Sequence, residues 1–419
     1  MTTQRVDPTS SLTGRIDVPG DKSISHRTLM LAALAKGKSE ISGLNSGQDV
    51  KQTESIISAL GAEVENKNGT CLVEGGKLKT PSQVLDVGNS GTGIRLLTGL
   101  LAGIPIQVTI DGDSSIQSRP MDRVIIPLRK MGAEIKSKDN DGHAPLEIIG
   151  KELIGIEYEV PVPSAQVKSA ILFAGLSALT PTTVIETLPT RSHTEELMTM
   201  CGIDLKTNQN KITVNPGRPE PFKHKIEGDP SQAAFWAVAG NIAPNSHIEI
   251  ENVYLGPSRT GFINVLQRMG ADLQLNLETG EMVIRSSHLH ATNVQPHEIP
   301  SMVDEIPILA VAAACAEGTT TFEGLSELRV KETNRLETIQ SELSRMGIAV
   351  EANQDSLVVH GGPIAGGSVN SHGDHRIAMA CAIAALVSES STSIEGWEAV
   401  STSYPDFEKD LKYLSGEDS

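Results

Sequence analysis

Arg268-Met269-Gly270-Ala271-Asp272-Leu273 decides the architecture, because the chain repeats it. Variants stand at Ala59-Leu60-Gly61-Ala62-Glu63-Val64, Lys130-Met131-Gly132-Ala133-Glu134-Ile135, Met200-Cys201-Gly202-Ile203-Asp204-Leu205 and Arg345-Met346-Gly347-Ile348-Ala349-Val350. An eroded sixth copy is Tyr413-Leu414-Ser415-Gly416. The glycines recur at intervals of 71, 70, 68, 77 and 69 residues. Each copy reads as the end of an amphipathic helix, a glycine in the left-handed position just past it, then a strand. Val50, Ile56, Ile57 and Leu60 supply the apolar helix face ahead of the first copy.

A second set keeps the same period. Apolar, alanine- and leucine-rich segments of roughly ten residues begin near His26, Gly93, Lys168, Ala233, Glu305 and His375, and read as buried helices. Polar residues cluster just before each. The chain therefore reads as an α/β protein of six copies of a unit of about 70 residues, too long for an ordinary helical solenoid. Two lobes of three units fit this size, with the division near Ile226 to Asp229, after the Pro/Gly-containing stretch from Asn215 to Pro221. A cleft between similar lobes is a natural ligand site.

Composition narrows the function. The 419 residues carry 35 Lys+Arg against 52 Asp+Glu, a net charge of −17, which disfavours nucleic acid and anionic membranes as partners. Aromatic content is 3%, so base-stacking surfaces are scarce. The polar N-terminus has no signal-peptide pattern, and no apolar run approaches the roughly 18 residues that span a bilayer. A reduced, cytoplasmic setting is the expectation. Cys71, Cys201, Cys315 and Cys381 form no CxxC pair, and His288-x-His290 has no third ligand near it in sequence, so no metal is expected.

Against that acidic background, cations gather at the starts of repeated elements: Lys22, Arg27, Arg119, Lys168, Arg191, Lys331, Arg335 and Arg376. With Ser23, the glycine cluster around Gly91, and Ser164-Ala165-Gln166, they read as a trap for small polyanions built on helix N-termini. Taken singly, each segment is equally a capped helix, a glycine loop or a surface ion pair. Two carboxylates stand beside this set. Asp304 and Glu332 either move protons on a bound substrate, or Asp304 caps a helix and Glu332 pairs with Arg335 at i, i+3.

Nine phrases occur in the order found in the 5-enolpyruvylshikimate-3-phosphate synthase family: GDKSISHR from Gly20, GNSGTGIR from Gly88, RPM from Arg119, SAQVK from Ser164, RSHTE from Arg191, GDPSQAAF from Gly228, MVDEIP from Met302, LRVKETNRL from Leu328 and GDHRIAMA from Gly373. The chain resembles that family from about Gly14 to Phe407. The resemblance implies a two-lobed inside-out α/β barrel of six βαβαββ repeats, with lobes at 14–228 and at 229–419 plus 1–13. It implies transfer of the enolpyruvyl group of phosphoenolpyruvate to the 5-hydroxyl of shikimate 3-phosphate, by addition and elimination, with no cofactor and usually as a monomer.

By the same resemblance, Lys22 contacts both substrates. Ser23, Arg27, Ser164, Ala165, Gln166, Arg191, Asp304 and Lys331 hold shikimate 3-phosphate. Gly91, Arg119, Gln166, Arg335 and Arg376 hold phosphoenolpyruvate. Asp304 is the base on the 5-hydroxyl, and Glu332 handles the methylene proton. Three departures stand out. Thr402 falls where many members carry Lys before a Tyr/Phe-Pro-Asp phrase. For the inhibitor glyphosate the signals oppose one another: SAQVK and RSHTE resemble the tolerant class II branch, yet Gly91 stands where tolerant forms often have Ala, and Gly256-Pro257-Ser258-Arg259 replaces an Asn-x-Thr-Arg phrase. The related UDP-N-acetylglucosamine enolpyruvyl transferases generally have a reactive Cys before an Arg-Pro, and Ser115 to Pro120 has none. A non-catalytic polyanion sensor is the remaining alternative.

Overall fold

In the computed structural model, which describes residues 2–138 and 141–417, the six apolar segments form helices at Lys22–Leu34, Gly91–Ala102, Ala165–Gly175, Pro230–Ile242, Ile306–Ala314 and His375–Ala385. A helix that is apolar all round has no face to give to water, and these are buried along nearly their whole length. All nine residues of Ile306–Ala314 are buried. Its Ile306, Ile308, Leu309 and Val311 contribute about 1.5–3 kcal/mol each. Small residues let neighbouring helices approach: a Cβ on Gly99 would lie 2.1 Å from the Ala170 carbonyl oxygen of Ala165–Gly175.

The amphipathic helices are Gln48–Ala59, Asp122–Lys130, His193–Met200, Gly261–Arg268, Arg335–Arg345 and Phe407–Ser415. The recurring glycines follow them, with φ between +78° at Gly416 and +102° at Gly61. A Cβ is strained in that left-handed region, so the glycine is a requirement of the turn from helix to strand.

Among the described residues the strands form six sheets. Five share one plan, seen in the order Leu85–Asp86, Gln107–Asp111, Leu146–Ile149, Glu134–Ser137: one parallel pair, then two antiparallel pairs. In three of these sheets the buried helix connects the two parallel strands; in all five the amphipathic helix leads to the outermost antiparallel strand, and a hairpin returns from it to the strand between. In the sixth sheet Gly367–Asn370 and Thr392–Glu395 are parallel, and the N-terminal strand Thr3–Val6 completes it antiparallel to Thr392–Glu395. Thr3–Val6 thus takes the place beside the middle strand that the returning hairpin strand holds in the other five sheets.

Contacts divide the chain into one unit of Met1–Asp21 with Glu227–Ser419, and a second of Lys22–Ile226. The expected boundaries at 13/14 and 228/229 are thereby corrected to 21/22 and 226/227. Strand Thr13–Asp17 pairs in parallel with His247–Glu251, so its backbone hydrogen bonds are made in the first unit. Strand Lys223–Lys225 pairs in parallel with Glu40, Ile41 and Ser42 of the second. At each crossing the strand stays in the unit the chain is leaving, and the buried helix after it opens the next. No helix among the described residues is long and apolar enough to cross a membrane.

Candidate active site

In the unit Lys22–Ile226, Lys22, Ser23, Gly91, Ala165 and Gln166 sit in the first turns of the three buried helices, where free N–H groups favour anions. Lys22 opens Lys22–Leu34, and its Nζ lies 2.9 Å from Asp49 Oδ2. Arg27, one turn on and buried, donates from Nη1 to the Ser23 carbonyl at 2.8 Å, from Nε to Thr194 Oγ1 at 2.7 Å and from Nη2 to Ser169 Oγ at 2.7 Å. His26 connects this helix to the next segment, with Nδ1 2.7 Å from Thr53 Oγ1 and Nε2 3.3 Å from Ser90 Oγ. Burial, with the Lys22 and Arg27 charges, pushes the His26 pKa down to about 3, so the imidazole is neutral.

Ser90 caps Gly91–Ala102 by accepting the Gly93 N–H at 3.0 Å. Gly91 faces two guanidinium groups: a Cβ there would lie 2.5 Å from Arg119 Nη1 and 3.1 Å from Arg95 Nη1. Arg119 is buried, and its Nη2 donates to Asn89 Oδ1 at 3.3 Å and Ser115 Oγ at 3.2 Å. Arg95 Nη1 donates to Gln166 Oε1 at 2.6 Å, and Gln166 Nε2 to Thr92 Oγ1 at 3.0 Å. Ser164 caps Ala165–Gly175, accepting the Val167 N–H at 3.4 Å. Arg191 is half-buried in the loop before His193–Met200. Lys168 departs from expectation. It is 1% exposed, and its ammonium lies between Glu186 Oε1 at 3.0 Å and Glu195 Oε1 at 2.6 Å, so carboxylates of the protein take it and it is no part of an anion trap.

In the other unit Asp304, Lys331, Glu332, Arg335 and Arg376 are brought together. Asp304 lies in the 3-10 turn Val303–Glu305, and its Oδ1 accepts from Lys331 Nζ and from Arg335 Nη1, both at 3.1 Å. Arg376 Nη1 donates to the Asp304 carbonyl at 3.1 Å. Arg335 Nη2 also donates to Glu332, so both candidate carboxylates share one guanidinium. The capping reading of Asp304 fails, since the helix that follows has no side-chain cap. The i, i+3 pairing of Glu332 with Arg335 is present. Arg335 is anchored by Asp374, with Nε to Oδ2 at 2.7 Å and Nη2 to Oδ1 at 3.3 Å. Burial on its own would lower the Arg335 pKa, but Asp374, Glu332 and Asp304 together hold it above the ordinary guanidinium range.

Sequence reasoning misses Asp374. Its signal is an aspartate directly before an apolar run, and Oδ1 does cap His375–Ala385 by accepting the Arg376 N–H at 2.9 Å. A cap is all that signal names; the grip on Arg335 depends on tertiary proximity. Arg259, in the altered Asn-x-Thr-Arg phrase, is buried with Nη1 2.5 Å from Asp21 Oδ2 and Nη2 2.8 Å from Asp229 Oδ1. Thr402 is half-buried, its hydroxyl donating to the Ala399 carbonyl at 2.7 Å. Burial pushes all four cysteine thiols up to about 12, which removes them as nucleophiles. His288 and His290 are exposed, and no group of three metal-ligating side chains occurs among the described residues.

A family model described as EPSP synthase (3-phosphoshikimate 1-carboxyvinyltransferase) matches residues 6–411. The 3-phosphoshikimate 1-carboxyvinyltransferase of Geobacillus thermodenitrificans is 46% identical over 421 residues, covering 97% of each chain. That of Herpetosiphon aurantiacus is 44% identical over 419 residues, covering 96% of this chain and 97% of the relative. The EPSP synthase structure from Acinetobacter baumannii superposes with a TM-score of 0.85 at 38% identity, covering 98% of each chain. The enolpyruvyl transferase NikO from Streptomyces tendae has a TM-score of 0.80 at 18% identity over 98% of this chain and 96% of its own, a likeness of fold.

Proposed function

Because this chain belongs to the EPSP synthase family, whose members are 3-phosphoshikimate 1-carboxyvinyltransferases, we propose that its two clusters of cations serve one pair of substrates, phosphoenolpyruvate and shikimate 3-phosphate. It is a transferase of aromatic amino-acid biosynthesis. Each substrate carries a carboxylate and a phosphate, which accounts for cations concentrated in a chain of net charge −17.

The reaction adds and then eliminates. The methylene carbon of phosphoenolpyruvate takes a proton, the 5-hydroxyl of shikimate 3-phosphate loses its own and attacks the adjacent carbon, and a tetrahedral ketal phosphate forms. Departure of phosphate with loss of a methyl proton restores the double bond. Asp304 accepts the hydroxyl proton, and Glu332 gives and takes the methylene proton. Ser23, Arg27, Ser164, Ala165, Gln166, Arg191 and Lys331 hold shikimate 3-phosphate. Gly91, Arg119, Arg335 and Arg376 hold phosphoenolpyruvate, with Lys22 and Gln166 reaching both. The fixed positive charges stabilise the anion that leaves without reorganising during the reaction.

One observation carries this reading: Asp304 and Glu332 meet on the guanidinium of Arg335, beside Lys331 and Arg376. Two proton-transfer groups are thus set among cations, the arrangement that addition and elimination on a phosphorylated enol requires. The buried thiols weigh against the related UDP-N-acetylglucosamine transferase. The test is phosphate release from phosphoenolpyruvate with either acceptor. Release that depends on shikimate 3-phosphate is expected. Release only with the nucleotide sugar reassigns the acceptor, and silence with both from folded protein removes the catalytic reading.

A further inference from the structure

The mechanism leaves a buried charge cluster beside the loop of Arg191 without a role. Lys168 on the helix Ala165–Gly175 is enclosed by Glu186 Oε1 at 3.0 Å and Glu195 Oε1 at 2.6 Å. Two carboxylates face one ammonium, and Glu195 Oε2 is buried with no hydrogen-bond partner. Burial raises the Glu195 pKa, against the pull of Lys168. A buried ion cluster of this kind is weak evidence for stability, since apolar residues of similar volume often replace it without loss. Its neighbourhood supplies another reason for it.

Glu186 ends the strand Thr182–Glu186, and its Oε1 accepts the Thr190 N–H at 3.0 Å and the Thr190 hydroxyl. Glu195 lies in the first turn of His193–Met200. Between them runs the loop 187–192, with Arg191 directly after Thr190. Ser192, on its other side, donates to Glu196 Oε1 at 2.5 Å. The adjacent residues repeat the contact in uncharged form: Ser169 Oγ lies 2.7 Å from Thr194 Oγ1, and Arg27 donates to both. Lys168-Ser169 and Thr194-Glu195 thus interlock as two neighbouring pairs at the base of the loop. Lys168 ties the end of a strand and the start of a helix to one helix, on both sides of Arg191.

We propose that Lys168 is a positioning residue for Arg191: by clamping Glu186 and Glu195 it fixes the loop 187–192 and thereby sets affinity for shikimate 3-phosphate, with little effect on phosphoenolpyruvate. The inference rests on the assignment of Arg191 to shikimate 3-phosphate. A misplacement of about 1 Å in a binding group is enough to cost orders of magnitude, so a released loop is visible in KM.

Steady-state kinetics of the full chain test it with Lys168→Met, Glu195→Gln, Arg191→Ala and the Lys168→Met/Arg191→Ala double variant. Lys168→Met is expected to raise KM for shikimate 3-phosphate about tenfold or more, while kcat and KM for phosphoenolpyruvate stay within about threefold. Glu195→Gln leaves one carboxylate per ammonium, so it retains the fold should Lys168→Met not, and is expected to raise the same KM about threefold. The double variant is expected to bind no worse than Arg191→Ala alone, because Lys168 acts through that residue. The proposal is overturned if the KM is unchanged in folded Lys168→Met or in Glu195→Gln, or if the two effects multiply in the double variant. An unchanged KM in Arg191→Ala overturns the assignment of Arg191 itself, which separates that failure from failure of the clamp.

Discussion

His26 is a buried imidazole that the fold holds neutral, and lowering the pH titrates that constraint directly. The unfolded chain binds a proton at this residue near the ordinary pKa of 6.5, whereas the native chain does so only near about 3. Between those values the unfolded state binds more protons, so stability present above pH 6.5 is lost as the pH falls toward 3. From pH 7 to pH 5 the loss attributable to His26 is about 2 kcal/mol. The comparison is between the wild type and His26→Gln, which stays polar toward Thr53 and Ser90 but does not titrate. Trp236 and Trp397 both lie in the unit Glu227–Ser419, so tryptophan emission reports the wrong unit. Urea unfolding followed by far-ultraviolet circular dichroism at pH 7 and pH 5 reads both. The wild type should lose about 2 kcal/mol more than His26→Gln over that interval. Parallel losses in the two proteins would refute the argument that burial between Lys22 and Arg27 keeps this ring neutral.

Two further substitutions probe the chemistry. Asp304→Asn retains a group of the same shape between Lys331 and Arg335 but cannot take a proton; kcat should fall by about 10²–10⁴, while binding of shikimate 3-phosphate measured by calorimetry changes little. Equal turnover by the variant removes Asp304 as the base. Gly91→Ala places a methyl group 2.5 Å from Arg119 Nη1; since Arg119 is buried and tied to Asn89 and Ser115, the guanidinium must shift, and KM for phosphoenolpyruvate should rise about tenfold. An unchanged KM would separate Arg119 from that substrate.

Much of the fold was legible in the sequence because its signals are local. A glycine after an amphipathic helix, and an apolar run behind a polar cluster, each depend on a few neighbouring residues, and both recur with one period. From them alone follow six units and the places of the twelve helices that carry the signal. Part of the candidate site was legible for a related reason: helix starts are recognisable, and Lys22, Gly91, Gln166, Arg335 and Arg376 all stand at or near one.

What only the tertiary structure decided involves partners far apart in the chain. The strand Thr13–Asp17 reads as the opening of the first repeat, yet its hydrogen bonds go to His247–Glu251, and no local pattern names a partner more than 200 residues away. Lys168 had the sequence setting of a ligand and became an internal clamp, because Glu186 and Glu195 reach it through space. Asp304 and Glu332 stand 28 residues apart in the sequence, and only the packing brings both onto one guanidinium, that of Arg335. Periodicity and capping are properties of a segment and survive in a one-dimensional string. Which donor meets which acceptor, and whether a charge faces a ligand or a neighbour, depends on how segments distant in sequence pack, and the string alone does not contain that.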